Sequence, residues 1–164
     1  MGPLSIFETL LIDNRFTFTR KAFMHHPIRI GNLSITFLKS RHETSGKLDL
    51  FELTVPPQAH LNVAHLHRDY DETIIGIDGI TTWTLDGKRH QVGPGQQLHI
   101  PRGVSHGYAN LHHSTARMMC ILTPGLMGPE YFRDLAAAAN TEGPVNIAGI
   151  AAVMARYGVI PASA

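Results

Sequence analysis

The sequence predicts an all-β domain, a sandwich or barrel of short strands, over residues 28–124, and three observations carry that prediction. Short apolar or alternating runs recur as "IRIGNLSITFL", "KLDLFELTV", "ETIIGI", "ITTWTL", "QLHIP", "GYANL" and "ARMMCIL". Turn-forming clusters, "TSGK", "VPPQ", "IDG", "LDGK", "GPG" and "PRG", separate them. Regular spacing of this kind is the pattern of packed antiparallel strands. Third, Leu85-Asp86-Gly87-Lys88 is a two-residue hairpin signal, since Asp-Gly accepts positive φ, so Gly79 to Gly95 reads as a compact hairpin.

The flanks read differently. Residues 1–27 form an N-terminal arm in which "RFTFT" alternates like a strand able to pair with a sheet edge of this domain or of a neighbour. Residues 125–164 form a helical extension. In "GPEYFRDLAAAAN", Pro129 stands near a first helical position, with Glu130 in the first turn and strong helix formers after it. "VNIAGIAAVMARYG" places Ile147, Ile150, Ala151 and Met154 at helical spacing and stops at Gly158. Two C-terminal helices are therefore expected, packing on the β domain or on a second subunit.

Composition excludes more than it selects. The 164 residues include 14 basic and 13 acidic side chains, for a formal charge of +1, and no block of like charge. Neither a nucleic-acid stripe nor a polybasic membrane patch is implied, and no helix-turn-helix segment is evident. Cys120 is the lone cysteine, which rules out an intrachain disulfide and makes a reducing cytoplasm the expected location. "MGPLSIFETLLIDNRF" has no basic leader and is broken by Glu8 and Asp13, so it reads as neither signal peptide nor membrane span. The sequon Asn32-Leu33-Ser34 has no other sign of secretion beside it. Histidine is the departure: the chain has 11.

Those histidines matter where they are spaced. In a strand, His65 and His67 point to one face, and Glu72 follows across the short turn "RDYD". By itself a His-x-His pair equally describes surface or hydrogen-bonded histidines. A second cluster, "GPGQQLHIPRGVSHGYAN", sets His106 at the opening of another strand, where it is expected to face the first cluster from an opposite wall. Three imidazoles and one carboxylate suit a divalent transition metal and leave two octahedral positions open.

Both clusters fit longer patterns. Ala59, five residues, His65-x-His67, four residues, Glu72, six residues and Gly79 form one, with Ala59 standing where the pattern has glycine. Gly95, five residues, Pro101-x-Gly103, two residues, His106, three residues and Asn110 form the other, and only fifteen residues separate Gly79 from Gly95. In these two motifs the chain resembles the cupin superfamily, over roughly residues 28–123. The resemblance implies a jelly-roll barrel, also described as a double-stranded β-helix, with His65, His67, Glu72 and His106 as ligands of one divalent metal ion. Fe, Mn, Ni, Co, Cu and Zn all suit that set. It also implies a dimer formed through sheet edges and N-terminal arms.

Around this set, Tyr108 shares a face with His106 and is the second candidate catalytic residue beside Glu72. Trp83, Phe51, Met118 and Cys120 are expected to pack in the barrel or line an apolar pocket. Cys120 has no paired base and is not expected to act as a nucleophile. Gly79, Gly95, Gly103 and Asn110 are expected to serve turns. His25, His26, His42, His60, His90, His112 and His113 lie in turn-like or terminal stretches and read as solvated, while the strand face of His99 is open. The resemblance to small quercetin-dioxygenase-like members implies a metal-dependent dioxygenase for a small apolar or aromatic enol, diketone or phenol. A metal-dependent lyase, isomerase or decarboxylase, or a non-catalytic ligand-binding module, uses the same residues, because a fold does not determine a reaction.

Overall fold

The computed structural model describes residues 26–60, 63–141, 144 and 146–162. The expected arm, up to His25, lies outside them. Among the described residues eleven strands form two antiparallel sheets. The first has the order β1 (Ile28–Ile30), β2 (Leu33–Lys39), β3 (Asp49–Val55), β10 (Ala116–Thr123), β5 (Asp71–Asp78) and β8 (Gln97–Ile100). The second has the order β11 (Val159–Pro161), β4 (His65–His67), β9 (His106–Ala109), β6 (Thr81–Leu85) and β7 (Lys88–Val92). Chain neighbours thus often lie in different sheets, which is the jelly-roll arrangement.

Period-two patterning explains the core. Phe51, Leu53 and Val55 of β3, Ile74 of β5, and Met118, Cys120 and Leu122 of β10 alternate with less buried neighbours and fill the space between the sheets. Fully burying one such large apolar side chain stabilises the fold by about 1.5–3 kcal/mol. The Asp-Gly hairpin forms as its residues require. Leu85 pairs with Lys88, and Asp86 and Gly87 have φ of 44° and 80°. Gly79 has φ of 64°, and a Cβ there would lie 2.7 Å from the carbonyl oxygen of Thr115.

Helices α1 (Gly128–Ala139) and α2 (Ile147–Arg156) follow the strands. They pack on the same chain: Phe132 of α1 meets Phe37 and Phe51 at centroid distances of 5.7 and 5.1 Å, and the two helices touch each other. The α1 start has no side-chain cap from its own cap residue. Instead the buried Asp49 carboxylate accepts the N–H groups of Met127 and Gly128, which supplies both bonds and a favourable charge at the helix N-terminus. After α2, Gly158 takes φ of 70° and the chain re-enters the second sheet as β11, a strand the sequence reading missed. No helix among the described residues is long and apolar enough to cross a membrane.

Candidate metal centre

His65 and His67 project from one face of β4, and His106 is the direct cross-strand partner of His65 on β9. All three imidazoles therefore belong to one sheet. The expectation that His106 faces His65 from an opposite wall is corrected by this pairing. The opposing wall carries Glu72, because the chain leaves the second sheet at Arg68–Tyr70 and enters the first as β5. A sheet change inside a three-residue turn leaves no mark in the alternation of apolar residues.

One ring nitrogen from each histidine lies within 4.8 Å of the others. The Nε2 atoms of His65 and His67 are 3.2 Å apart. Glu72 Oε2 lies 3.3 Å from His106 Nε2 and 3.8 Å from His67 Nδ1. His106 Nδ1 lies 2.9 Å from the carbonyl oxygen of Val104. A carbonyl only accepts, so Nδ1 carries the proton and the Nε2 lone pair of the neutral ring points inward, where it finds no hydrogen-bond donor. His65 Nδ1 is likewise buried without a partner.

Electrostatics sort the three rings. Burial, then the neighbouring His106, pushes His65 down to about 3, and burial followed by the other two imidazoles pushes His67 down to about 2. Both are neutral, electron-donating rings at ordinary pH. For His106 burial opposes protonation, yet the negative charge of Glu72, its Oε2 3.3 Å away, with the Val104 carbonyl, holds it above its usual value. Lone pairs converging on a buried carboxylate, with few donors among them, are a set that a divalent cation satisfies. The residues present therefore fit a metal ion.

The other candidates divide clearly. Tyr108 lines the same cavity, its ring 5.0 Å from that of Trp83, and burial keeps its hydroxyl protonated. Trp83 and Phe51 line the cavity, whereas Met118 and Cys120 are core residues behind it. Burial, followed by the charge of the nearby Glu72 carboxylate, keeps the Cys120 thiol protonated and inert. Asn110 is fully buried, and its amide donates to the carbonyls of Val55, Pro56 and Ser114. Its backbone N–H reaches the Ala59 carbonyl at 2.8 Å, so alanine in place of glycine keeps the start of one motif tied to the end of the other. His26, His60, His90 and His113 are exposed. His42 is exposed and contacts Glu130, His112 is half-buried, and His99 faces outward against Thr73. Missing from the sequence reading were Tyr131, Phe132 and Leu135, which α1 contributes to the cavity wall, and Tyr70, stacked on His67 at 4.5 Å. An apolar helix stripe carries no sign of which strand face it will cover.

A jelly roll whose inner face gathers three histidines and a glutamate has a donor set that could hold a metal, and known proteins share features with it. Residues 51–122 match the family described as Cupin domain. A protein from Bacillus subtilis (strain 168), quercetin 2,3-dioxygenase, is 39% identical over 79 residues, which are 48% of this chain and 23% of that protein. The chain thus spans less than a quarter of that relative. Among solved structures, a sugar phosphate isomerase from a cupin superfamily, from Silicibacter pomeroyi, aligns with TM-score 0.51 and 20% identity over 57% of this chain and 60% of its own. A predicted oxalate decarboxylase from Thermotoga maritima aligns with TM-score 0.53 and 17% identity, over 56% and 80%. At these identities the likeness concerns the fold. Over residues 51–122 the chain thus matches a cupin domain, and the two-sheet fold agrees with that match.

Proposed function

We propose that His65, His67, Glu72 and His106 hold one divalent transition metal, and that the protein is a dioxygenase for a small apolar or aromatic compound bearing an enol, diketone or phenol oxygen. The observation that carries this reading is the cavity itself. It is apolar along Ile35, Phe51, Leu53, Trp83 and Phe132, and it ends on those four polar residues. Among the described residues no lysine or arginine lines it, which disfavours a phosphorylated substrate. The quercetin dioxygenase relative supports the oxygenase form of the reading.

A bound metal supplies Lewis acidity and a meeting point for dioxygen and an anionic substrate oxygen. The chain's own residues do the rest. Neutral His65 and His67 donate lone pairs, and the Val104 carbonyl orients His106. Glu72 Oε2 takes the proton of the substrate hydroxyl, as the only carboxylate that the described residues contribute to the cavity wall. Trp83 and Tyr108 present ring faces that orient a planar substrate, and Tyr131 and Phe132 exclude water from above.

Protein loaded in turn with Fe, Mn, Ni, Co, Cu or Zn is to be assayed for oxygen uptake with flavonols, diketones and catechols. Uptake stoichiometric with substrate, lost in His65→Ala and His106→Ala, is the expected result. Turnover that proceeds without oxygen would instead assign the lyase, isomerase or decarboxylase reading, in which Glu72 or Tyr108 moves the proton. Wild-type protein that retains no more metal than the two alanine variants would sink the metal site altogether.

A further inference from the structure

Two cavities meet beside the histidines. The inner one, about 100 Å³, is the chamber that ends on the four polar residues. An outer one, about 400 Å³, opens between β1, α1, α2 and the segment around Gln58. Ile30, Leu33, His65, Tyr131 and Leu135 line both, so they form a neck between the chambers. Past the neck the helix side is apolar, with Ala139, Ile150 and Met154, and the rim carries Asn32, Gln58 and Asn140. Asn140 fixes the neck on one side: its amide donates to the Arg29 carbonyl and its Oδ1 accepts the Gly31 N–H, tying the end of α1 to β1.

We propose that the substrate is bipartite, with a compact chelating head, a single ring or a short dicarbonyl, seated in the inner chamber and an apolar tail running through the neck into the outer one. The inference rests on the metal-held head of the preceding reading. Size supplies the first argument: a buried apolar cavity of about 150 Å³ takes a benzene-sized molecule, so the inner chamber holds no more than one ring. Continuity supplies the second, since apolar surface leads from the head position through the neck to Ile150 and Met154, and none of the described residues shared by both linings carries a formal charge. A tail lying there leaves water with each methylene, which tightens binding about fourfold per CH₂ at full burial.

The test needs no turnover. Trp83, the single tryptophan of the chain, lines the inner chamber, so its fluorescence reports occupancy of the head position. Zn(II)-loaded protein, kept anaerobic, is titrated with catechol and with 4-butylcatechol. Both should quench Trp83, and the butyl compound should bind tighter by on the order of a hundredfold. Ile150→Asp, at a half-buried position that touches only the outer chamber, should erase that gain and leave catechol affinity unchanged. If that variant fails to fold, Met154→Gln makes the same comparison. Equal affinity of wild type for the two ligands, or a gain that survives in the folded variant, overturns the tail chamber and leaves the metal-held head standing. If neither ligand quenches Trp83 in protein shown to hold zinc, the head assignment falls and this inference with it.

Discussion

Asp49 and Glu72 lie at the starts of β3 and β5, the two strands that flank β10, and are paired, from either side, with the same residue, Leu122 of β10. Both carboxylates are buried, with 0% and 7% of their surface exposed. Their partners differ in kind. Asp49 accepts three backbone N–H groups, from Arg41 at 2.6 Å, Met127 at 3.2 Å and Gly128 at 3.0 Å. Among the described residues Glu72 has no backbone donor, and it faces two imidazoles, with the Cys120 thiol near it. Burying a carboxylate is costly unless its charge is answered. The fold answers the first internally, where it anchors α1 to the sheet. It leaves the second to be answered by a proton on His106 or by a cation.

The largest effect expected from breaking this contrast is on stability. Asp49→Ala strands three backbone donors and should cost about 3–5 kcal/mol, from charge-assisted bonds worth about 1.5–3 kcal/mol each with partial recovery by water. Urea unfolding of metal-free protein measures it. Glu72→Gln in the same assay should change stability by less than about 1 kcal/mol, because the isostere keeps the volume and removes an unmatched charge. Comparable losses in the two variants would show that Glu72 too is a structural anion.

Next is pH. Unfolded histidine titrates near 6.5, whereas folded His65 and His67 titrate at about 3 and about 2. Below 6.5 the unfolded chain therefore binds protons that the folded chain refuses, so stability is full above that value and falls as pH is lowered toward 3. Each histidine adds a slope of about 1.4 kcal/mol per pH unit inside the window. His106, held above its usual value, acts in the opposite sense, and its contribution is lost as pH rises through its folded value. His65→Gln should flatten the acid limb of metal-free protein by one such slope, and an unchanged limb would contradict the assignment.

Glu72→Gln returns with a smaller effect on metal. Weakening the anionic member of the set should reduce affinity about 10–100-fold, read by competition with a chelator, with the order of metals unchanged. Cys120→Ala, which removes only the thiol behind Glu72, should do less than Glu72→Gln. An equal effect would make Cys120 a ligand.

How much of this is legible in the sequence depends on whether a signal is local. The meeting of His65, His67, Glu72 and His106 is legible, because two gapped motifs with glycine and proline at their turns specify short strands whose parity can be counted. So are the Asp-Gly hairpin and both helices, which carry their own period. The wall that each ligand occupies is not, since it depends on a sheet change at Arg68–Tyr70 that no run of residues announces. Nor is the role of Asp49, an acid at the start of an apolar strand whose partners lie 8, 78 and 79 positions away. Tyr131 and Leu135 look like any core stripe until α1 is placed over the cavity.

β11 is the element least legible in the sequence, and it gives the smallest and sharpest prediction. Three residues, Val159 to Pro161, pair with Leu66 and the two histidines of β4, and flanking bonds join Arg68 N–H to the Gly158 carbonyl and Ala162 N–H to the Ala64 carbonyl. Antiparallel pairs alternate, so Ile160 and Leu66 exchange both of their backbone bonds between those two. β4 is thereby an inner strand, held by β9 on one side and β11 on the other, and the His65–His67 spacing is fixed from behind. Ile160→Pro deletes one donor and leaves the Leu66 carbonyl unpaired, at a cost of about 1–3 kcal/mol. Ile160 is more than a third exposed, so little core is lost with it. Metal affinity should fall about tenfold, the effect of loosening a ligand's support. Ile160→Val, which keeps the N–H, should match wild type. If the proline variant binds metal as tightly as wild type while its unfolding midpoint drops, β11 stabilises the fold without positioning the histidines, and the internally answered half of the molecule ends at Asp49.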